Sequence, residues 1–193
     1  MESHVTDANE KAKRSRLTLW LILGICAAPI IGSYAAYYFW RPAAQTNYGE
    51  LIEPRLVSAA ELAAADGRAF RLAELRGEWV MVMAAPSACD ARCRQNLVYM
   101  RQVRLAQGRE TGRIERVWVL TDPGVPDASL LTEHPGLRIA RDPRGAVVNT
   151  SFARDAIHLV DPLGHLMMRF PADPDPRRLL KDLSRLLRHS KWK

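Results

Sequence analysis

Charged side chains are missing from Leu17 to Trp40, 24 residues of a chain that is about a quarter charged overall. As a helix this run reaches about 36 Å, enough to cross a hydrocarbon core of roughly 30 Å with some tilt. Lys11, Lys13, Arg14 and Arg16 precede it. Tyr34, Tyr37, Tyr38 and Trp40 crowd its far end, where amphipathic aromatics favour the membrane–water boundary. Basic flanks stay cytoplasmic, so the expectation is a cytoplasmic tail over 1–16, a membrane-spanning helix over 17–40 and a domain outside the cytoplasm. The run is longer than a signal-peptide core, and the sequence around Gly32-Ser33-Tyr34-Ala35 makes a poor cleavage site, which favours an uncleaved anchor.

Cysteine is scarce, with Cys26, Cys89 and Cys93 the only three. Cys26 lies in the apolar run and reads as a small apolar residue. Cys89 and Cys93 remain as a lone close pair, and in an oxidising compartment such a pair is readily a disulfide. Internal repeats and low-complexity tracts are absent, and 193 residues leave room for one ordinary domain besides the anchor. Aromatics make up 7% of the chain and interleave poorly with its basic residues. With the domain outside the cytoplasm, this argues against nucleic acid as a partner. Nothing points to an organic cofactor.

The stretch from Trp79 to Cys93 organises the rest. Residues 79–85 form a near-continuous apolar run, the pattern of a strand buried on both faces. Pro86 stops the strand, Ser87 and Asp90 are helix-start types, and the chain reads helical from about Ala91 through Leu105. A helix start favours thiolate through its unpaired N–H groups and dipole; Arg92 and Arg94 add positive charge, and Asp90 opposes it. Were both cysteines helical, their Cβ atoms would stand about 5–6 Å apart, beyond the roughly 3.5–4.5 Å of a relaxed disulfide. Cys89 must therefore sit in the turn if the pair closes. The same spacing suits two sulfurs on one soft metal ion. C-x3-C thus admits a redox disulfide, a metal site, or a structural bridge whose small loop gains little.

Elsewhere, residues 41–57 show no period and read as a linker, and Ser58 to Ala65 as a short helical turn. Gly67 to Leu72 alternates weakly, as in a strand or hairpin. Gly108 to Gly112 reads as a loop, and Ile114 to Leu120 as a second buried strand ending at the turn Thr121-Asp122-Pro123-Gly124. A short helix is expected over Asp127 to Glu133 and a short strand over Leu137 to Ala140. Two apolar runs, 156–160 and 165–170, flank Asp161-Pro162-Leu163-Gly164 and make a hairpin. Asp173 to Lys193 reads as a final helix with Leu179, Leu180, Leu183, Leu186 and Leu187 on its buried face. Residues 177–193 hold seven Lys/Arg and one Asp, which is +6 of the chain's +7. That charge suits a solvated helix face, or contact with anionic lipid or an acidic partner domain.

His4 and His189 lie in tails and His134 in a loop. His158 and His165 stand on the hairpin strands, where packing or exposure is commoner than metal ligation. Met81, Met83, Met167 and Met168 suit a soft metal ion chemically, but methionine in apolar strands is usually core.

Strand, helix, strand, hairpin and helix make a thioredoxin-like α/β order, a central mixed sheet flanked by helices, expected over 58–193. The sequence resembles the Sco/SenC proteins, membrane-anchored thioredoxin-fold factors that assist assembly of the copper site in cytochrome c oxidase. The resemblance rests on the anchor, the Gly77-Glu78-Trp79 strand, Cys89-x3-Cys93 and the Val119-Leu120-Thr121-Asp122-Pro123 strand end. It also rests on the hairpin from Ile157 to Gly164 and on the Asn47-Tyr48-Gly49-Glu50-Leu51 run.

The resemblance implies a bacterial inner-membrane protein with a periplasmic domain. It implies Cys89 and Cys93 as redox pair and copper ligands, acting as Cu(I) chaperone or thiol–disulfide helper. The implied partners are the copper-bearing oxidase subunit or its assembly factors. The family's copper site adds a histidine just before the hairpin; the matching place here is near Ala153 and holds none. His158 is the substitute by position along the hairpin, although one residue of register would turn it to the other sheet face. Two thiolates alone can hold Cu(I), whereas Cu(II) wants nitrogen or oxygen donors as well. The alternatives are a general thioredoxin-like disulfide reductase and a structural scaffold of oxidase assembly.

Overall fold

The computed structural model describes residues 3–39, 47–57, 61–64, 67–142, 145 and 151–190. The chain divides into two compact units, Met1–Gln45 and Thr46–Lys193. The first is a single helix, α1 (Ser3–Phe39), with Pro29 inside it. Its stretch Thr18–Phe39 is long and apolar enough to cross a membrane. Leu19, Trp20, Ile25, Ile31, Tyr37 and Tyr38 stand exposed on it. Trp40 and the residues 41–46 of the expected linker lie outside the described residues.

The second unit is an eight-stranded mixed sheet. Its strands are β1 (Glu50–Leu56), β2 (Glu61–Ala64), β3 (Ala69–Arg71), β4 (Trp79–Ala85), β5 (Ile114–Leu120), β6 (Leu137–Arg141), β7 (Ile157–Val160) and β8 (His165–Arg169). They lie in the order β1-β8-β7-β4-β5-β6-β2-β3. The pairs β4–β5 and β5–β6 are parallel; every other neighbouring pair is antiparallel. Its longer described α-helices are α2 (Ala91–Ala106), α3 (Ala128–Glu133) and α4 (Pro176–His189).

Every residue of β4 is buried, which its unbroken apolar run anticipates. Its side chains alternate between two cores. Trp79, Met81, Met83 and Ala85 face Leu97, Met100 and Val103 of α2 and Leu179, Leu183 and Leu187 of α4. Val80, Val82 and Ala84 face the other way, toward Val57, Leu62, Phe70, Leu72, Leu75 and Phe152. This is the thioredoxin-like α/β domain expected from the element order.

The loop read over Gly108 to Gly112 is a 3-10 helix, Gly108–Arg113, and two strands lie where the sequence reading expected none. Residues 50–56, expected as linker, form β1, paired with β8 from Glu50↔Arg169 to Leu56↔His165. Six of its seven residues are exposed and Pro54 removes a donor, so neither burial pattern nor propensity marks it as a strand. The pairing shifts register between Leu51 and Arg55, around that proline. Glu61–Ala64, expected in a helical turn, is β2, held between β3 and β6. Residues 58–60 and 65 of that turn lie outside the described residues. In both places strand pairing with distant residues overrides local signals.

Candidate functional site

At the C-terminal end of β4 the chain turns through Pro86 to Ala88 and enters α2. Asp90 is the N-cap, its side chain accepting from the backbone N–H of Cys93 at 2.8 Å. Cys89 therefore sits just before the helix and Cys93 in its first turn, with Cα atoms 5.3 Å apart, and the two are joined as a disulfide. Placing Cys89 outside the helix resolves the spacing conflict read from the sequence. Cys89 retains 8% of its surface and Cys93 1%. Arg94 Nε donates to the Cys89 carbonyl at 3.2 Å, tying the turn to the helix it precedes.

A second clasp holds the turn from outside. The Ser87 backbone N–H and Oγ donate to Asp122 Oδ1 and Oδ2 at 2.9 and 3.0 Å. These bonds, the backbone one foremost, hold the Asp122 carboxyl below its ordinary pKa. A Cβ on Gly124 would stand 2.0 Å from Ser87 Oγ, so a side chain there would push the hydroxyl off Asp122. The Thr121 N–H and Trp118 Nε1 both donate to the Ala85 carbonyl, at 3.2 Å each. The Thr121–Gly124 turn noted in the sequence is thus a support for the cysteine turn.

Asn96 lies one helical turn after Cys93 and is fully buried. Its Nδ2 donates to the carbonyls of Asp155 and Ala172, both at 3.0 Å. The Asp155 N–H in turn donates to Ala84 at 3.0 Å, and Arg154 makes a parallel bridge with Ala84. Asp155 takes φ +57°, a left-handed conformation that aspartate tolerates better than most residues. Asn96 thereby straps the segment before the hairpin against the end of β4. Sequence reading missed it, although a polar residue within the helix's apolar stripe was the available signal.

His158 is not brought to the cysteines. It pairs in register with Val82 and lies on that side of the sheet, its ring packed edge-on against Phe152 at 5.2 Å. Cys89 and Cys93 belong to the opposite core, with Met81, Met83, Ile157 and Leu159. Both ring nitrogens are engaged: Nδ1 donates to the Ala156 carbonyl at 3.1 Å, and Nε2 accepts from the Ala153 N–H at 3.1 Å. Burial pushes its pKa down to about 4, so the ring is neutral near pH 7. The sequence candidate for a third copper ligand is therefore corrected: the register turns it away from the thiol pair.

The remaining candidates separate as well. His134 lies in the turn that caps the C-terminal end of α3, as read from the sequence; it is buried there, and its pKa is lowered chiefly by that burial. His165 meets Asp161 at 3.4 Å at the hairpin turn. Met81, Met83 and Met168 are core residues. Cys26 is an exposed free cysteine on α1. Among the described residues, no group of three or more His, Cys, Asp or Glu is placed to hold a metal ion. The donors at this site are two sulfurs.

No curated protein is similar to the chain in sequence. Solved structures share its fold. The copper-bound ScoI of Bradyrhizobium japonicum aligns with a TM-score of 0.53 at 19% identity, covering 70% of this chain and 99% of that one. Apo Sco1 of Thermus thermophilus aligns at 0.59 and 20%, covering 75% and 99%. A Chlorobium tepidum structure described as a thiol:disulfide interchange protein, DsbE, aligns at 0.55 and 22%, covering 72% and 99%. Residues 79–190 match the family described as transmembrane-like, thioredoxin-like, C-terminal domain. With a Sco/SenC-like fold and more than half its length matched, the chain belongs to this transmembrane-like, thioredoxin-like family.

Proposed function

We propose that the protein is a membrane-anchored periplasmic assembly factor for the copper centre of cytochrome c oxidase, working through Cys89 and Cys93. The observation that carries this reading is the disulfide at the head of α2, with Cys89 in the turn before the helix and Cys93 in its first turn. Its fold likeness to a copper-bound ScoI supports copper as cargo. The reduced pair offers two thiolates and no nitrogen, a donor set that fits Cu(I) and not Cu(II). Each thiol gives up its proton on binding, so affinity falls as pH drops.

In thiol exchange, a client thiolate attacks Cys89 Sγ and the Cys89–Cys93 bond breaks, with Cys93 leaving as thiolate. A second client thiolate then attacks the mixed disulfide and releases Cys89. The client loses two electrons and gains a disulfide, and this chain gains two thiols; the reverse sequence reduces a client.

Titration of the full chain with copper tests the reading. One Cu(I) should bind per reduced chain and none per oxidised chain, with binding lost in Cys89→Ser and in Cys93→Ser and kept in His158→Ala. Absence of Cu(I) binding leaves thiol exchange as the role of the pair. Alkaline phosphatase fused after Lys193 should be active if the domain is periplasmic.

The second reading is a general disulfide reductase, favoured by the equally good fit to the DsbE-described structure. Vigorous turnover of insulin or of scrambled ribonuclease would select it.

A further inference from the structure

The charge of α4 is arranged on one side. At 100° per residue, Arg177, Arg178, Lys181, Arg185 and Arg188 fall within an arc of about 100°. Leu179, Leu183 and Leu187 are buried on the far side. Arg177, Arg178, Lys181 and Arg188 are exposed and Arg185 is half-buried. Asp182 is the one acidic residue within the helix, and it is turned inward, 3% exposed. Its Oδ2 accepts from the backbone N–H groups of Tyr48 and Gly49 at 2.7 and 2.8 Å. The outward face thus carries five cations and no carboxylate of its own helix. Asp175 caps its N-terminal end, and Glu110, which lines the same cavity as Arg188 at the other end, is paired with Arg113 at 2.6 Å.

The bonds that bury Asp182 also fix where the chain enters the domain. The Tyr48 ring lies under the Arg178 guanidinium at 4.4 Å, its hydroxyl accepts from the Asp175 N–H, and Asn47 Oδ1 meets Arg185 at 3.4 Å. The first described residues after the apolar helix are therefore laid along the basic stripe. Only seven residues, 40–46, lie between Phe39 and Asn47, a length that spans at most about 25 Å fully extended.

We propose that the Arg177–Arg188 stripe of α4 is a docking surface for the anionic headgroups of the bilayer that holds the anchor. Basic side chains gain from a negative surface potential within a Debye length, and a tether this short gives the domain a high effective concentration at the bilayer surface. The proposal rests on the membrane-anchored reading and is independent of copper or thiol chemistry.

The test uses the full chain in lipid nanodiscs, one set of phosphatidylcholine and one with about a third phosphatidylglycerol. Lys181 is footprinted by acetylation and Arg177, Arg178 and Arg188 by phenylglyoxal, with the exposed Arg92 beside the disulfide as internal control. Labelling of the stripe should slow at least threefold on the anionic discs, with Arg92 unchanged, and recover at high salt. In the Arg177→Gln, Lys181→Gln, Arg188→Gln variant, protection of Arg178 should disappear. Equal labelling on both discs overturns the proposal and makes an acidic protein domain the better occupant. A chain that fails to enter discs at all overturns the anchor reading, and the stripe's role with it.

Discussion

The backbone N–H of Ala153 donates to Nε2 of His158 at 3.1 Å. The imidazole expected as a replacement ligand is bonded instead to the backbone at the place where the family resemblance expects a histidine. Its lone pair is used to hold the segment before the hairpin.

This burial has a pH signature. An unfolded-state histidine titrates near 6.5, and the folded one near 4. Between those values the unfolded chain binds the extra proton, so this contribution is full above pH 6.5 and is lost as pH falls toward 4. The loss amounts to about 3 kcal/mol. Urea unfolding at pH 7 and at pH 4.5 should show it in the parent chain. His158→Gln should be less stable at pH 7 and show a much smaller difference between the two pH values.

The two sulfurs should react unequally. Cys89 lies in the turn and keeps 8% of its surface against 1% for Cys93 in the helix, so Cys89 should be the sulfur that partners attack. Cys93→Ser should accumulate mixed disulfides with clients through Cys89, and Cys89→Ser should accumulate almost none. Non-reducing gels after rapid alkylation read the difference; equal trapping would refute the asymmetry.

Asp90 places a carboxylate at the helix start. Asp90→Asn keeps a capping side chain and removes the charge, so stability should change by a few tenths of a kcal/mol. The Cys89 thiol should become more acidic and the disulfide more oxidising by roughly 5–20 mV. Asp90→Ala should in addition cost about 1 kcal/mol through the lost cap. Redox equilibration with glutathione and a denaturant melt separate the two effects.

Asn96→Ala should leave the carbonyls of Asp155 and Ala172 without their donor. A loss of about 2–4 kcal/mol is expected, with faster hydrogen exchange at the Asp155 N–H. Unchanged exchange there would mean that Asn96 does not hold the strap.

Much of this architecture is legible in the sequence where apolar periods are long. Trp79–Ala85 and Ile114–Leu120 read as buried strands, and Leu179, Leu183 and Leu187 mark the buried face of α4. The position of Cys89 outside α2 was legible from the helix-start residues and, if the pair closes, from disulfide geometry. What stays hidden depends on partners. β1 is an exposed edge strand whose existence comes from β8, and no local pattern announces it. The face taken by His158 was equally hidden, because Ile157, His158, Leu159 and Val160 are all buried and alternation has nothing to report. Asn96 was visible as a polar residue on an apolar stripe, but its two carbonyl partners lie 59 and 76 residues away.

Pairing of Glu50 with Arg169 sets an order of events as the chain is made. The first strand of the domain to be synthesised has no partner until the hairpin has followed it, 119 residues later. Closing so long a loop is entropically slow, whereas β4, α2 and β5 assemble from nearby chain. The stretch nearest the apolar helix is therefore expected to pair late, after β4, α2 and β5 have met. Until then β8 presents an open edge, and a second newly made chain is a competitor for it.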